Sequence, residues 1–203
     1  IIEKADVAGF ATRRAESEVQ GKYRGLGLAM YLEQCGQGGG GGVEIEFEAD
    51  GSVILYAAQQ DNGQGHLTTL TQIFSDRLGY DSDLIKVVQG DSLRTPPGTT
   101  GGAKMASVLG SSVSEAASLI AVDAQKLAAE HLGVDDADVG LAEGVFTASG
   151  TNQSISIEEL VRLTATEDGP HPLNRFNNYK ASGATYPYGS HIIEIEVDKA
   201  SFV

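Results

Sequence analysis

Residues 43–78 read VEIEFEADGSVILYAAQQDNGQGHLTTLTQIFSDRL, and changes in the pattern of apolar residues divide this stretch into two strands and a helix. Residues 43–47 alternate apolar side chains with glutamates, and residues 53–58 return as a more continuously apolar strand after the turn at Asp50-Gly51. Four apolar residues then recur at helical spacing, namely Leu67, Leu70, Phe74 and Leu78. The pattern therefore predicts a β-hairpin that continues through a glycine-flanked turn into a helix.

The residues on the N-terminal side of this stretch predict a helix, a strand and a loop. Residues 5–20 favour a polar surface helix, and residues 23–34 alternate as a strand. Residues 36–42 contain six glycines, whose backbone freedom predicts a flexible loop. Cys35 is the only cysteine, which excludes an internal disulfide or a cysteine-ligated cluster within this chain. We expect it to end a buried strand as an inert core thiol in a reducing compartment.

The residues on the C-terminal side alternate between short strands and helices. Apolar runs predict strands at residues 84–89, 139–141, 145–148, 153–155, 179–184 and 190–197. Helical spacing predicts a long alanine-rich helix over residues 109–127 that ends near Gly133, and a shorter one over residues 157–163 that begins after Ser156. Strands and helices are mixed without strict alternation. The sequence therefore predicts an α+β fold with two layers, in which helices pack on a mixed sheet.

The charge balance limits the classes of partner. The 28 acidic residues outnumber the 14 basic ones, and a net charge of −14 disfavours nucleic acid and anionic membrane surfaces. The first twenty residues are too polar for a signal peptide or a membrane span, and the chain opens on Ile1. We therefore expect no membrane insertion, and we expect the chain to be a fragment of a longer parent. An anionic ligand would have to be held locally, for example by the N–H groups at a helix N-terminus.

The turn Gly63-Gln64-Gly65-His66 is the first candidate for such a site. A strand that passes through a Gly-X-Gly turn into a helix leaves several backbone N–H groups without intrahelical partners. The Gln64 amide can donate a hydrogen bond to an oxo group and accept another from a neighbouring N–H. Residues 90–104 form a second segment rich in glycine and proline that ends directly before a helix. Either turn alone is common in purely structural roles.

The stretch from Tyr23 to about Ala117 resembles the molybdopterin-binding part of the molybdenum hydroxylase family, the class of xanthine dehydrogenase, aldehyde oxidase and aerobic carbon monoxide dehydrogenase. The matching pieces are YRGLGLAMYLE at residues 23–33, DNGQGHLTT at residues 61–69, and Gly90-Asp91-Ser92 with the later Pro97-Gly98-Thr99. Residues 134–203 form a smaller portion that leads toward the family's next segment. The resemblance implies the fold of a molybdenum cofactor-binding domain over residues 1–203.

The resemblance also implies roles for individual residues. Gln64 approaches the molybdenum and its oxo ligand, and the glycines beside it let the backbone come near the pterin. The family's second loop reads Gly-Ser-Arg where this chain has Gly102-Ala103-Lys104, so the side-chain hydroxyl is missing. The expected cofactor-binding residues are Gly63, Gln64, Gly65, His66, Thr68, Gly101, Gly102, Ala103 and Lys104. His66 and Thr68 have an equally good alternative as residues that only begin the helix.

The resemblance implies that the parent is a cytoplasmic oxidoreductase. Its cofactor would be molybdopterin, in a dinucleotide form such as the cytosine dinucleotide, and its partners would be other segments of the same large subunit together with FAD-binding and iron–sulfur subunits or domains. Its substrate would be an aldehyde, an N-heterocycle or a molecule like carbon monoxide, and a homodimer is left open. The family's arginine loop and its catalytic glutamate are not found in this chain. We therefore expect the fragment alone to be inactive, and we nominate no general base and no metal ligand.

A different class of function stays open beside this one. The chain would then be a non-catalytic module, either a degenerate cofactor-binding domain or a piece that only packs against other subunits. The four histidines show no metal-binding spacing, and Gly110-Ser111-Ser112 lacks the pattern of a nucleophile elbow. A zinc site and a serine hydrolase are therefore disfavoured.

Overall fold

The computed structural model describes residues 1–36 and 40–203, which form two compact units. The helices are α1 (Phe10–Val19), α2 (His66–Leu78), α3 (Gly110–Leu132) and α4 (Ile157–Thr164). The strands are β1 (Lys22–Leu32), β2 (Gly40–Phe47), β3 (Val53–Ala57), β4 (Ile85–Gln89), β5 (Val139–Ala142), β6 (Val145–Ala148), β7 (Ser154–Ser156), β8 (Arg175–Lys180) and β9 (Tyr188–Asp198). Unit 1 comprises Ile1–Gln34 and Thr185–Val203, and unit 2 comprises Cys35–Ala184. Unit 2 is thus inserted between two segments of unit 1.

Unit 1 consists of a two-stranded ribbon with one helix packed against it. Strands β1 and β9 pair antiparallel over eleven residues, from Lys22 opposite Asp198 to Leu32 opposite Tyr188. The helix α1 is joined to the ribbon by Arg13, whose guanidinium binds the carboxylate of Glu194 on β9. The predicted strand is confirmed, but its expected burial is wrong, because β1 has a single neighbouring strand and Leu32 is 67% exposed.

Unit 2 is built on a four-stranded mixed sheet whose strand order is β4-β3-β2-β8. Strand β2 is antiparallel to both β3 and β8, whereas β3 and β4 are parallel. The apolar residues on one face of the predicted hairpin, among them Val43, Ile45 and Leu55, are fully buried and form one core with residues of α2, α3 and α4. Helices packed on a mixed sheet are the arrangement that the predicted α+β class requires, and the class is confirmed.

The parallel pairing of β3 and β4 places the two glycine-rich segments at the same edge of the sheet. The two strands are joined by α2, and Ala57 at the end of β3 lies opposite Gln89 at the end of β4. The carboxyl ends of parallel strands share one edge, where ligand-binding loops of such sheets are commonly found. The segments that follow β3 and β4 therefore start side by side.

The predicted glycine loop is only partly a loop. Residues 37–39 lie outside the described residues, but Gly40 already begins β2, which corrects the prediction for residues 40–42. A Cβ on Gly41 would lie 2.9 Å from the backbone of Leu109, a contact too close for any other residue. These glycines are therefore used for close packing in a strand, whereas sequence composition favours a loop.

The strand expected at residues 179–184 is found earlier, at Arg175–Lys180. Two asparagines at its centre weaken the strand pattern, because asparagine is depleted in sheets. The amide of Asn177 is satisfied by donating to the Ser112 carbonyl at 3.0 Å, and the Ser112 hydroxyl donates back to the Asn177 carbonyl at 3.1 Å. A contact with α3, which is distant in sequence, thus stabilises asparagine in this strand.

The remaining predicted elements of unit 2 are confirmed. Strands β5, β6 and β7 form a separate antiparallel sheet, and Ser156 caps α4 by accepting a hydrogen bond from the Glu159 backbone at 3.1 Å. The segment Met105–Leu132 is long and apolar enough to cross a membrane by length and composition, but half of its most apolar window is buried inside the protein. Its buried side is part of the core described above, as in the core helix of a globular domain.

Candidate functional site

The turn between β3 and α2 is held in shape by its own polar groups. The Asp61 carboxylate accepts from the Gly63 backbone at 3.1 Å, and Gln64 Oε1 accepts from the Asn62 backbone at 2.5 Å. Gly63 has a φ of 95° and Gly65 a φ of 78°, and a Cβ at either position would meet nothing within 4 Å. These glycines are therefore required by the left-handed backbone itself. The turn fixes the carbonyl end of the Gln64 side chain and leaves its amide N–H groups to donate elsewhere.

The helix α2 begins at His66 with an open N-terminus. Its N-cap is Gly65, which has no side chain with which to cap the first turn. The Gly65 carbonyl accepts from both the backbone N–H and the hydroxyl of Thr69 at 3.1 Å. The first N–H groups of the helix have no side-chain cap, an arrangement that favours an anionic or oxo ligand. His66 is only 7% exposed, and its Nδ1 is a buried atom without a hydrogen-bond partner in the structure.

The segment that follows β4 is joined to this turn by Thr100. Its hydroxyl accepts from the Gln60 backbone N–H at 3.0 Å and donates to the Gln60 carbonyl at 2.7 Å. Further along, Gly102 and Ala103 both have positive φ, of 60° and 46°. The chain then passes Lys104 and enters a π-helical turn, Met105–Leu109, which leads into α3. Thr100 was not among the predicted residues, because a hydrogen bond between two loops leaves no local signal in the sequence.

Lys104 is buried although it carries a positive charge. It is 8% exposed, and its Nζ donates to the Thr99 hydroxyl at 3.4 Å. A buried ammonium loses its hydration and is retained where hydrogen bonds or an anion compensate for that loss. Lys104 follows the left-handed residues Gly102 and Ala103 and precedes a π-helical turn. Irregular helical turns of this kind are frequent at functional sites in proteins.

The two segments enclose a cavity of about 260 Å³. Its lining consists of residues from both segments: Gln64, His66, Thr100, Gly101, Ala103, Lys104, Met105 and Ala106. Five of the predicted site residues therefore lie together in one cavity, although about forty positions separate the two segments in the sequence.

The other four predicted residues are placed differently. Gly63, Gly65 and Gly102 shape the backbone beside the cavity and are not part of its lining. Thr68 is exposed and lines a separate hollow between α2 and β4, together with Lys86. Thr68 is therefore not among the described residues that line the cavity with Gln64.

The electrostatics of the cavity differ from those of the whole chain. Among the eight described lining residues, one is a cation and none is a carboxylate, whereas the chain carries a net charge of −14. Lys104, the open end of α2 and the Gln64 amide can all donate hydrogen bonds to a ligand. The cavity is therefore suited to a polar ligand that carries negative charge.

The described residues contain no group of three or more His, Cys, Asp or Glu side chains that could hold a metal ion. The buried His171, for example, has a structural role, because its Nδ1 accepts from the Leu173 backbone at 3.1 Å and its Nε2 lies 3.0 Å from the Val161 carbonyl. Burial lowers the pKa of His171, which favours its neutral form.

Comparison with protein-family models matches residues 1–202 to the molybdopterin cofactor-binding domain. Among curated proteins, the chain is 31% identical to subunit gamma of the 6-hydroxypseudooxynicotine dehydrogenase complex of Paenarthrobacter nicotinovorans, over 97% of this chain and 26% of the relative. It is 29% identical to the carbon monoxide dehydrogenase large chain of Hydrogenophaga pseudoflava, over 94% of this chain and 26% of the relative. The chain thus spans about a quarter of the length of these relatives.

Solved structures show the same fold. Quinoline 2-oxidoreductase from Pseudomonas putida 86 superposes with a TM-score of 0.82 at 23% identity, over all of this chain and 28% of that one. The Cu,Mo-CO dehydrogenase superposes with a TM-score of 0.80 at 26% identity, over 97% of this chain and 28% of that one. The expected fold of a molybdenum cofactor-binding domain is confirmed.

Proposed function

Because this chain belongs to the molybdopterin cofactor-binding domain family of molybdenum hydroxylases, we propose that the cavity between its two glycine-rich segments holds part of the molybdenum cofactor of a larger oxidoreductase. One observation carries the proposal: residues from two distant segments meet in one cavity that has a buried cation and no carboxylate among its described lining residues. When bound, the cofactor supplies the redox centre, and the residues of this chain bind and orient it.

The residues of the cavity fit such a ligand in three respects. The unpartnered Nδ1 of buried His66 can form a hydrogen bond with a polar ligand atom. The open N-terminus of α2 supplies backbone donors without a side chain in their way. The cavity volume of about 260 Å³ lies below the roughly 300–1,000 Å³ of typical ligand pockets, so other segments of the parent would complete the enclosure.

Lys104 and the end of α2 support a dinucleotide form of the cofactor. A dinucleotide carries phosphate groups, and an ammonium beside a helix N-terminus is suited to bind them. We assign Lys104 to a phosphate and prefer the cytosine dinucleotide, as the resemblance to the carbon monoxide dehydrogenase branch implies. Arginine occupies this position in the family's loop, so lysine keeps the charge but not the bidentate geometry.

Gln64 is assigned to the metal end of the cofactor. Its carbonyl oxygen is engaged by the Asn62 backbone, so the side-chain amide is oriented by the turn before any ligand arrives. A donor that is already oriented contributes most where negative charge develops during a reaction. Gly63 and Gly65 permit the backbone to approach the ligand closely, because neither has a side chain.

The substitution of alanine for the family's serine favours a second candidate, a degenerate and non-catalytic module. Ala103 lines the cavity and offers no hydroxyl to a ligand. Its φ of 46° nevertheless keeps the left-handed backbone, and the N–H groups of the segment stay available. Molybdenum in the purified parent supports the first candidate, whereas its absence after expression in a host that makes the cofactor supports the second.

The activity of the parent follows from its proposed family role. We propose that the parent is a cytoplasmic molybdenum-dependent dehydrogenase or hydroxylase. It works with FAD-binding and iron–sulfur subunits or domains, and the question of a homodimer is left open. The names of the relatives place nicotine derivatives, quinoline and carbon monoxide among the substrates of similar proteins. We propose that a small N-heterocycle, aldehyde or carbon monoxide-like molecule is the substrate and that residues outside this chain select it.

Replacing Gln64 with alanine in the parent tests the catalytic assignment. The loss of one preoriented donor should raise the barrier by about 2–4 kcal/mol, which lowers turnover per molybdenum by roughly 30- to 1,000-fold. The molybdenum content should change far less, because the glycine turn and the open N-terminus of α2 remain. Thr68→Ala is the matched control, since Thr68 lies nearby in sequence but outside the cavity.

The two measurements separate the possible outcomes. An unchanged rate per molybdenum in Gln64→Ala would sink the catalytic assignment while leaving cofactor binding in place. Equal losses in Gln64→Ala and Thr68→Ala would show that the helix end is needed for folding only.

A further inference from the structure

The ribbon of unit 1 exposes apolar side chains on both of its faces at one end. We call this end the inner half and define it as residues 27–32 of β1 with residues 188–193 of β9. On one face Leu28, Met30 and Leu32 are 52%, 79% and 67% exposed. On the opposite face Ile193 is 63% exposed and Tyr31 is 50% exposed. Surface residues of a stable isolated domain rarely form such a two-sided apolar patch.

The helix α1 accounts for only the other half of the ribbon. Its Arg13 and Ser17 reach Glu194, Glu196 and Arg24, all of which lie toward the outer end. Beyond Leu26, which is paired with Glu194, neither strand of the ribbon contains Asp, Glu, Lys or Arg until Leu32 and Tyr188. The charged side chains thus stop at this point, whereas exposed apolar side chains continue to the end of the ribbon.

The sequence of the inner half has the composition of a strand that is buried on both faces. Residues 26–32 read LGLAMYL and are continuously apolar, a pattern that is typical of central strands in covered sheets. Strands β1 and β9 pair only with each other within the described part of the chain. Each therefore keeps a free edge with backbone N–H and C=O groups that another strand can use.

The dimensions of the ribbon favour a segment of the same polypeptide as the partner that covers it. Strands rise about 3.4 Å per residue and lie about 4.8 Å apart, so one face of the six-residue inner half measures about 20 Å by about 10 Å. Each face therefore offers roughly 200 Å², about a quarter of the roughly 800 Å² per partner that stable protein–protein interfaces bury. A second copy or a separate protein held by this face alone would bind weakly, whereas a segment of the same polypeptide benefits from a high effective concentration.

We propose that the inner half of the ribbon is the central pair of a larger sheet, completed by extended, apolar segments of the same parental polypeptide. Those segments come from the three quarters of the relatives' length that this chain does not span. They pair with the free edges of β1 and β9 and cover both faces. This surface is distinct from the cofactor cavity, which lies in unit 2.

Hydrogen exchange of the parent and of the 203-residue chain tests the proposal directly. In the parent, amides of β1 and β9 that point to the free edges should exchange at least about a hundredfold more slowly than in the chain alone, because they gain partners and cover. The amides between the two strands serve as an internal reference in both samples. Equal exchange at the free edges in the two samples would overturn the proposal.

The Ile193→Lys variant provides a second test in the same two contexts. In the 203-residue chain this substitution should leave the melting temperature nearly unchanged, since the side chain is exposed. In the parent it should lower the melting temperature by several degrees, because a charge is then buried without a partner. Val19→Lys is the matched control, since Val19 is 89% exposed in unit 1 but lies outside the ribbon.

Light scattering distinguishes the tethered segment from a second copy. The proposal predicts that the 203-residue chain is monomeric and stays so in Ile193→Lys. A dimer that Ile193→Lys dissociates would contradict it and assign the surface to self-association.

Discussion

Units 1 and 2 are stabilised by different means. Unit 2 has a continuous core in which Val43, Phe74 and Ile120 are fully buried, and the cavity lined by Gln64 and Lys104 lies at the edge of its sheet. Unit 1 relies on one ribbon, one helix and a network of ion pairs around Glu194 and Glu196. Burial of apolar side chains therefore dominates in unit 2, whereas ion pairs and strand pairing dominate in unit 1.

Truncating one side chain in each unit should give the largest difference between the units in the free energy of unfolding that is lost. Phe74 is fully buried between the rings of Phe47 and Tyr80, at centroid distances of 6.3 and 5.9 Å. Phe74→Ala should lower the free energy of unfolding of the 203-residue chain by about 3–5 kcal/mol, since it removes buried surface and leaves a cavity. Ile195→Ala in unit 1 should cost less than about 0.5 kcal/mol, because Ile195 is 56% exposed.

Urea unfolding followed by circular dichroism measures both variants. The contrast between the units would break down if Ile195→Ala were as destabilising as Phe74→Ala. The same Ile195→Ala substitution in the parent extends the comparison. A larger loss of unfolding free energy there than in the 203-residue chain would show that Ile195 is buried in the parent.

The ion pairs of unit 1 should give a smaller effect that depends on pH. The Arg13 guanidinium lowers the pKa of Glu194 from 4.5 to about 2, and the Lys22 ammonium lowers the pKa of Glu196 from 4.5 to about 2. Because both pKa values are lower in the folded state, the stabilisation is complete above pH 4.5 and is lost as the pH falls toward 2. The packing of α1 on the ribbon should therefore weaken in that interval.

Carboxyl carbon-13 chemical shifts, recorded as a function of pH, follow both glutamates. The account expects midpoints well below 4.5, and Arg13→Gln should raise the midpoint of Glu194. Midpoints near 4.5 in the unmodified chain would show that these pairs are not formed in solution.

The parts of the fold that local pattern encodes could be predicted from the sequence. The hairpin of residues 43–57, the turn at Gly63-Gln64-Gly65 and the Ser156 cap all follow from spacing or turn chemistry within a few residues. The strands containing Gly41 and Asn177 were misplaced because distant contacts with Leu109 and Ser112 decide their structure. Local composition favours a loop at both places, and tertiary packing overrides it.

The candidate site could be predicted only in part for the same reason. The resemblance pointed to both segments, but the parallel pairing of β3 and β4 is what brings Gln64 and Lys104 to one cavity. The hydrogen bonds between Thr100 and Gln60, and the position of Thr68 outside the cavity, depend on how the segments cross. Alternation likewise predicted the strand β1 but not its exposure, because alternation does not show whether a partner is present.

The most direct test of the cofactor site is the cofactor content of the parent with Lys104→Met. Methionine keeps the length of the buried side chain and removes its charge. The loss of a charge-assisted hydrogen bond, worth about 1.5–3 kcal/mol, should weaken cofactor binding by roughly ten- to 150-fold. The exposed Lys86, replaced in the same way, is the control. Molybdenum and pterin measured per protein should fall in Lys104→Met and stay normal in Lys86→Met, whereas full cofactor content in a folded Lys104→Met parent would contradict the assignment of this cavity.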